Sequence, residues 1–178
     1  MFQLGLDVST SMIGVCLFKN HKFFMMDKIE TGKDKEFFHK ADRVNSYIKK
    51  LCEDYDITEL YIEDIFQSFS RGLSSAKTIS QLARFNGIVS FIAYNHTGLT
   101  PVYLNVNTCR KTLDIKIVKT EDKKEQVIKW VVKDLRGYKF ETKVLSRGKN
   151  KGNVVYEKWV NDMADAYVVC KAGIKLSK

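Results

Sequence analysis

The 178 residues suit one compact domain, since single domains commonly run to roughly 100–200 residues, and a hydrophobic fraction of 44% can fill a core. No stretch approaches ~18 uninterrupted apolar residues, which excludes an ordinary membrane span, and Asp7 comes too early for a signal peptide. The formal net charge of +9, from 30 Lys and Arg against 21 Asp and Glu, favours a polyanionic partner, with nucleic acid ahead of a membrane surface; the plainer alternative is a solvated basic surface.

Residues 2–8 and 13–19 read as strands around a polar turn, Ser9-Thr10-Ser11. Asn20-His21 reads as a hairpin turn into a third strand near 22–30. Phe37, Ala41, Val44, Ile48, Leu51 and Tyr55 alternate four and three apart, the spacing of one apolar helical stripe. Leu60–Glu63 begins a short strand. After a polar stretch around Ser68–Gly72, residues 74–95 form a long helix, capped by Ser74 or Ser75 and ending before Gly98. Pro101–Val106 is a further strand, with Pro101 tolerable at its first residue. A helix near 122–135 follows, then a Lys- and Gly-rich loop through 147–153, and the chain closes on a helix from about Trp159 to Ile174. No repeat or linker divides residues 1–178, so a single domain is expected. This order describes an α/β sandwich around a mixed sheet and is shared by the RNase H-like fold.

The charge is uneven. Residues 108–158 hold 15 of the 30 basic residues but 7 of the 21 acidic ones, the footprint expected of a phosphate-binding face. Cys16, Cys52, Cys109 and Cys170 form no CxxC pair and have no His at ligand spacing. That argues against zinc and for reduced thiols in the cytoplasm. His21, His39 and His96 suit surface or turn roles.

Three acidic places remain. Asp7 ends the first strand and emerges into the Ser/Thr turn, where it either reaches a metal or caps the turn. Glu63 ends the apolar run Leu60-Tyr61-Ile62, a place where a Glu often simply faces solvent. Asp162 and Asp165, three apart, share a helical face. They could complement the helix dipole, yet Met163, Ala164, Ala166, Tyr167, Val168 and Val169 say that this helix packs inward. Together these places supply four hard oxygen ligands, the set two Mg²⁺ ions roughly 4 Å apart need to clamp a scissile phosphate.

Leu4-Gly5-Leu6-Asp7 with Gly14-Val15, then Ile62-Glu63-Asp64-Ile65-Phe66, then Asp162-Met163-Ala164-Asp165-Ala166 resemble, in order and spacing, the RuvC-type Holliday junction resolvases. The resemblance spans Phe2 to about Gly173. It implies an RNase H-like fold, a mixed five-stranded sheet with helices on both faces. It further implies a metal-dependent endonuclease that cuts four-way DNA junctions in recombination and repair, using two Mg²⁺ ions, with Mn²⁺ able to substitute. Carried over, Asp7, Glu63, Asp162 and Asp165 are the catalytic metal ligands. Phe66 stacks on a junction base, or is a core aromatic. The family's phosphate-contacting lysines fall near Arg110 and Lys124; Arg71 and, by its charge, the loop with Arg147, Lys149 and Lys151 are further expected DNA contacts. The enzyme would be a homodimer, with Ile79, Leu82, Phe85, Val89 and Ile92 of the long helix serving both core and interface.

Two departures stand out. Val8-Ser9 replaces the Pro-Gly usual after the first Asp in bacterial relatives, and the basic stretch from Tyr138 to Trp159 is longer than expected. Both point to a phage or viral branch acting in a host cytoplasm. Three rivals remain. An actin-like kinase or ATPase would also open with Gly-x-Asp, but needs a second domain that 178 residues cannot hold. A non-catalytic branched-DNA module would not need all four carboxylates. A related RNase H-like nuclease acting on forks, flaps or RNA–DNA hybrids would use the same site.

Overall fold

The structure, a computed structural model, describes residues 1–34, 36–65 and 76–177. Three strands open the chain: β1 (Phe2–Val8), β2 (Met12–Lys19) and β3 (Lys22–Glu30). The β2–β3 turn places both Asn20 and His21 at positive φ, 49° and 63°. Two such residues make the primed turn whose twist suits a hairpin. Then come α1 (Phe37–Asp54), β4 (Ile57–Glu63), α2 (Ala76–Thr97) and β5 (Val102–Leu104). The remaining elements are α3 (Val106–Thr112), α4 (Lys123–Asp134), β6 (Thr142–Val144), β7 (Val154–Tyr156) and α5 (Val160–Leu176).

The five-stranded sheet has the order β3-β2-β1-β4-β5. β1 pairs antiparallel with β2 and parallel with β4, so the sheet is mixed. Its two faces follow from period-two alternation. Leu4, Leu6, Val8, Ile13, Val15 and Leu17 pack against Val44, Ile48 and Leu51 of α1 and Phe85, Val89 and Ile92 of α2. Cys16, Phe18 and Tyr61 face the opposite way, toward α3, α4 and α5.

This register decides where the chemistry can sit. Burying a Leu, Ile or Val side chain is worth ~1.5–3 kcal/mol. A one-residue slip of β1 would turn Leu4, Leu6 and Val8 out of their core and drive Asp7 into it. The apolar alternation therefore holds Asp7 on the face covered by α5.

The strand expected to begin at Leu60 starts at Ile57, and later elements also part from expectation. The strand expected over Pro101–Val106 stops at Leu104, because Asn105 caps α3, its side chain accepting from the backbone N–H of Asn107 and Thr108. The loop read through 147–153 is there, but it is the turn between two strands that were not expected, β6 and β7, whose hairpin stands outside the main sheet. The long helix expected over 74–95 is described as α2 from Ala76 to Thr97, and its expected caps Ser74 and Ser75 lie outside the described residues, as does the polar stretch Ser68–Gly72. Among the described residues, no helix is long and apolar enough to cross a membrane.

Candidate active site

Leu6 of β1 pairs with Ile62 of β4 in parallel register, so Asp7 and Glu63 come next on adjacent strands. Both project toward α5, on the side of Gly5 and Tyr61. Across the antiparallel pairing, Asp7 is opposite Gly14 of β2.

Gly14 lets the catalytic candidates meet. A Cβ built there would lie 1.9 Å from the Asp162 carbonyl oxygen and 2.9 Å from the Met163 nitrogen. Only a residue without a side chain lets the first turn of α5 descend onto the sheet beside Asp7. Farther along the same helix, a Cβ on Gly5 would be 2.4 Å from the Cys170 Cβ, and one on Gly173 2.3 Å from the Tyr61 ring. Three glycine contacts thus seat α5, and its first turns bring Asp162 and Asp165 to the two strand-borne carboxylates.

The four acids feel one another. Asp7 is pushed well above the usual carboxylate range, first by burial, then by the charges of Glu63, Asp165 and Asp162. Burial, then Asp165, raises Glu63 to about 7, although a hydrogen bond with Asp7 and the nearby Arg110 pull the other way. Burial raises Asp165 to about 6 against the pull of Arg110 and Lys124. Asp162 is raised by burial and eased by Lys124. Crowded carboxylates with little water to stabilise them hold protons in this way unless a cation intervenes.

Among the described residues, Arg110 and Lys124 face the cluster. Arg110, on α3, brings Nη2 to 3.9 Å from Asp165 Oδ1, each side chain 19% exposed. The contact is too long for a hydrogen bond, and among the described residues neither Arg110 Nε nor Asp165 Oδ1 has a hydrogen-bonding partner. Lys124 is exposed in the first turn of α4, where Asp122 caps the helix. Arg147, Lys149 and Lys151 are exposed in the β6–β7 turn. Phe66 and Arg71 lie outside the described residues.

Some contributors to the site had no plain signal in the sequence. Asn86, buried on α2, donates from Nδ2 to the Glu63 carbonyl at 3.3 Å and is itself bonded by Ser90. A polar pair four apart on an apolar helical face was its only trace. Cys109 lies close enough for Glu63 and Arg110 to act on it. Burial, then Glu63, pushes its thiol up to about 12, which leaves it an inert core residue and not a nucleophile. All four cysteines are free. His21 sits in the β2–β3 turn and His96 bonds Asn45 at 2.7 Å.

Among the described residues, no three Asp, Glu, His or Cys side chains close into a ligand set for one ion. The donor chemistry nevertheless suits a hard divalent cation. All four groups are carboxylates, their mutual repulsion is only partly offset by Arg110 and Lys124, and one buried oxygen is unpartnered.

No protein-family model and no curated protein sequence matches this chain. Its fold does match solved structures. T. thermophilus RuvC in complex with Holliday junction substrate aligns over 99% of this chain and 94% of that one, with a TM-score of 0.64 and 13% identity. A Thermus thermophilus RuvC structure aligns over 99% and 95%, with a TM-score of 0.64 and 14% identity. The chain has the fold of a RuvC-type resolvase, an RNase H-like α/β fold with a mixed five-stranded sheet.

Proposed function

We propose that this chain is a Holliday junction resolvase, a structure-specific endonuclease that hydrolyses phosphodiesters of branched DNA with divalent metal. The observation that carries the reading is the convergence of Asp7, Glu63, Asp162 and Asp165, from three distant parts of the chain, on one face of a RuvC-type fold. One of the matching structures is RuvC in complex with a Holliday junction substrate, and the basic excess of residues 108–158 gives a polyanion somewhere to bind.

In this reading the four carboxylates hold Mg²⁺, or Mn²⁺ in its place. Such an ion, when bound, would supply positive charge for a phosphodiester and for ionising water. The protein's own part is to hold the acids on β1, β4 and α5, where burial and mutual repulsion leave them in need of a cation. Arg110 and Lys124 meet the phosphate flanking the cut. Arg110 keeps the charge of a lysine there but brings a planar fork of donors.

A four-way junction offers two symmetry-related strands, and a homodimer would cut both. The α2 residues expected to serve core and interface together do not include the two aromatics that this helix leaves most exposed. Phe85, Val89 and Ile92 are consumed by the chain's own core, while Phe91 and Tyr94 of α2 are 67% and 47% exposed. These two are the proposed contact between copies.

The decisive experiment is side-by-side cleavage, with Mg²⁺ and with EDTA, of a four-way junction, a fork, a flap, an RNA–DNA hybrid and linear duplex. Metal-dependent, paired incision of the junction in preference to the rest is expected. Preference for the hybrid or flap would make the chain another RNase H-like nuclease. Binding without cutting would make it a branched-DNA module.

A further inference from the structure

The β6–β7 hairpin is paired only with itself, yet it is well built. Thr142, Lys143 and Val144 pair with Tyr156, Val155 and Val154. Its tip is closed by backbone bonds from Leu145 to Asn153, Gly152 to Leu145 and Lys151 to Gly148, with Gly148 and Gly152 at φ 83° and 89°. At its base the charges neutralise one another. Lys143 meets Glu157 at 2.7 Å, and Glu141 meets Lys28 of β3 at 3.9 Å.

The tip is different. Arg147, Lys149 and Lys151 are exposed, and no carboxylate lies within ion-pair reach of them among the described residues. Behind them, the cross-strand pair Val144 and Val154 is 63% and 65% exposed. A solvated tip explains the cations alone. It does not explain an ordered ribbon that displays an apolar pair behind three uncompensated positive charges. Nucleic acid combines the two complementary features, phosphates flanking sugar and base edges, and a two-stranded ribbon is narrow enough to enter a groove ~12 Å wide.

The hairpin is also rooted at the candidate site. β7 runs through Glu157 and Trp159 directly into α5, with the Val160 N–H donating to the Glu157 carbonyl and that of Glu157 to the Glu141 carbonyl. Lys28 Nζ lies 3.7 Å from the centre of the Trp159 ring. These contacts tie the base of the ribbon to the start of the helix that carries Asp162 and Asp165.

We propose that β6–β7 is an arm that grips the duplex flanking the branch, with Arg147, Lys149 and Lys151 on phosphates and Val144 and Val154 against the groove. The proposal rests on the branched-DNA reading above and names the part of the substrate that this surface takes. It is tested by equilibrium binding of the full chain to a fluorescent four-way junction in EDTA, across a salt series. The comparison is between wild type, the Arg147→Gln/Lys149→Gln/Lys151→Gln variant and the Val144→Thr/Val154→Thr variant.

The charge variant should bind more weakly, and its log–log salt slope should be shallower by ~0.9 for each phosphate it no longer neutralises. The Val→Thr variant, which keeps β-branching, should bind more weakly with the slope unchanged. Junctions with arms longer than about one helical turn, ~10 bp, should bind wild type more tightly than short-armed ones, and the charge variant should lose that gain. An unchanged slope together with an undiminished arm-length gain in a charge variant that melts like wild type overturns the arm. If wild type itself neither prefers nor cuts the junction, the branched-DNA reading has failed instead.

Discussion

Asp7 and Glu63 share a hydrogen bond between carboxyls that burial and neighbouring charge hold above their usual range, so one change at Asp7 separates chemistry from folding. Asp7→Asn keeps the shape and a hydrogen-bonding group. It should lower Mg²⁺-dependent cutting by more than the ~10–100-fold that loss of a mere outer-shell partner costs. Junction binding in EDTA should be equal or tighter, because an anion near the phosphate has gone. Cleavage within ~3-fold of wild type would remove Asp7 from the mechanism. The same cluster sets a pH dependence. Glu63 rises from 4.5 to about 7 and Asp165 from 3.8 to about 6. Acids that hold protons more tightly when folded contribute stability below their unfolded values, and that contribution is lost as pH climbs toward 6–7. In EDTA, wild type should therefore lose more melting temperature between pH 5 and 8 than Asp165→Asn does, and Mg²⁺ should restore it most at the upper end. Parallel pH profiles for the two proteins, with no effect of Mg²⁺, would contradict this account.

Helix α5 reaches the sheet through glycines, so the site depends on residues that have no chemistry of their own. Gly14→Ala puts a methyl where the Asp162 carbonyl lies at 1.9 Å, and backbone cannot yield as a flexible side chain does. Overpacking of this kind typically costs ~1–3 kcal/mol. The first turn of α5 should lift away, carrying Asp162 and Asp165 from Asp7. The expected outcome is a folded protein with a lower denaturation midpoint and a cutting rate reduced out of proportion to the drop in stability. A midpoint and rate both unchanged would mean that the helix does not sit as closely as described. Gly87→Ala on α2 is the matched control, since a Cβ there meets nothing within 4 Å.

Across the whole molecule, the sheet separates two surfaces with different work. The α3–α4–α5 side carries the carboxylates and the basic segment, while α2 leaves Phe91 and Tyr94 exposed on the other, and Val102 and Tyr103 of the edge strand β5 are exposed as well. Exposed aromatic surface of this kind suits a self-complementary contact about a two-fold axis. Phe91→Glu with Tyr94→Glu should shift a dimer to monomer in sedimentation equilibrium while leaving the melting curve of the fold intact, because neither side chain fills the core. Coupled cutting of the two junction strands should then become two independent nicks. A wild-type protein that is monomeric at all concentrations, alone and on the junction, would remove this interface.

The first three strands, the Asn20-His21 turn and the frames of α1, α4 and α5 were legible in the residues themselves, which also marked the four acids as candidates. Each of these is written in local terms: period-two or period-3.6 apolar spacing, a turn pair, a carboxylate at a strand end or helix start. The tertiary structure decided what local pattern does not encode. The α3 helix is too short for an apolar stripe, and its Asn105 cap is a small signal inside a region that reads as strand. The β6–β7 ribbon buries little apolar surface, so its alternation looks like a basic loop until its backbone pairs across the turn. Arg110 was expected as a phosphate contact, and its approach to Asp165 exists only because α3 packs beside α5. Gly14 shows the reason most plainly: its need for no side chain comes from Asp162, far away in the chain, and a requirement imposed by a distant backbone leaves no mark in the residues around it.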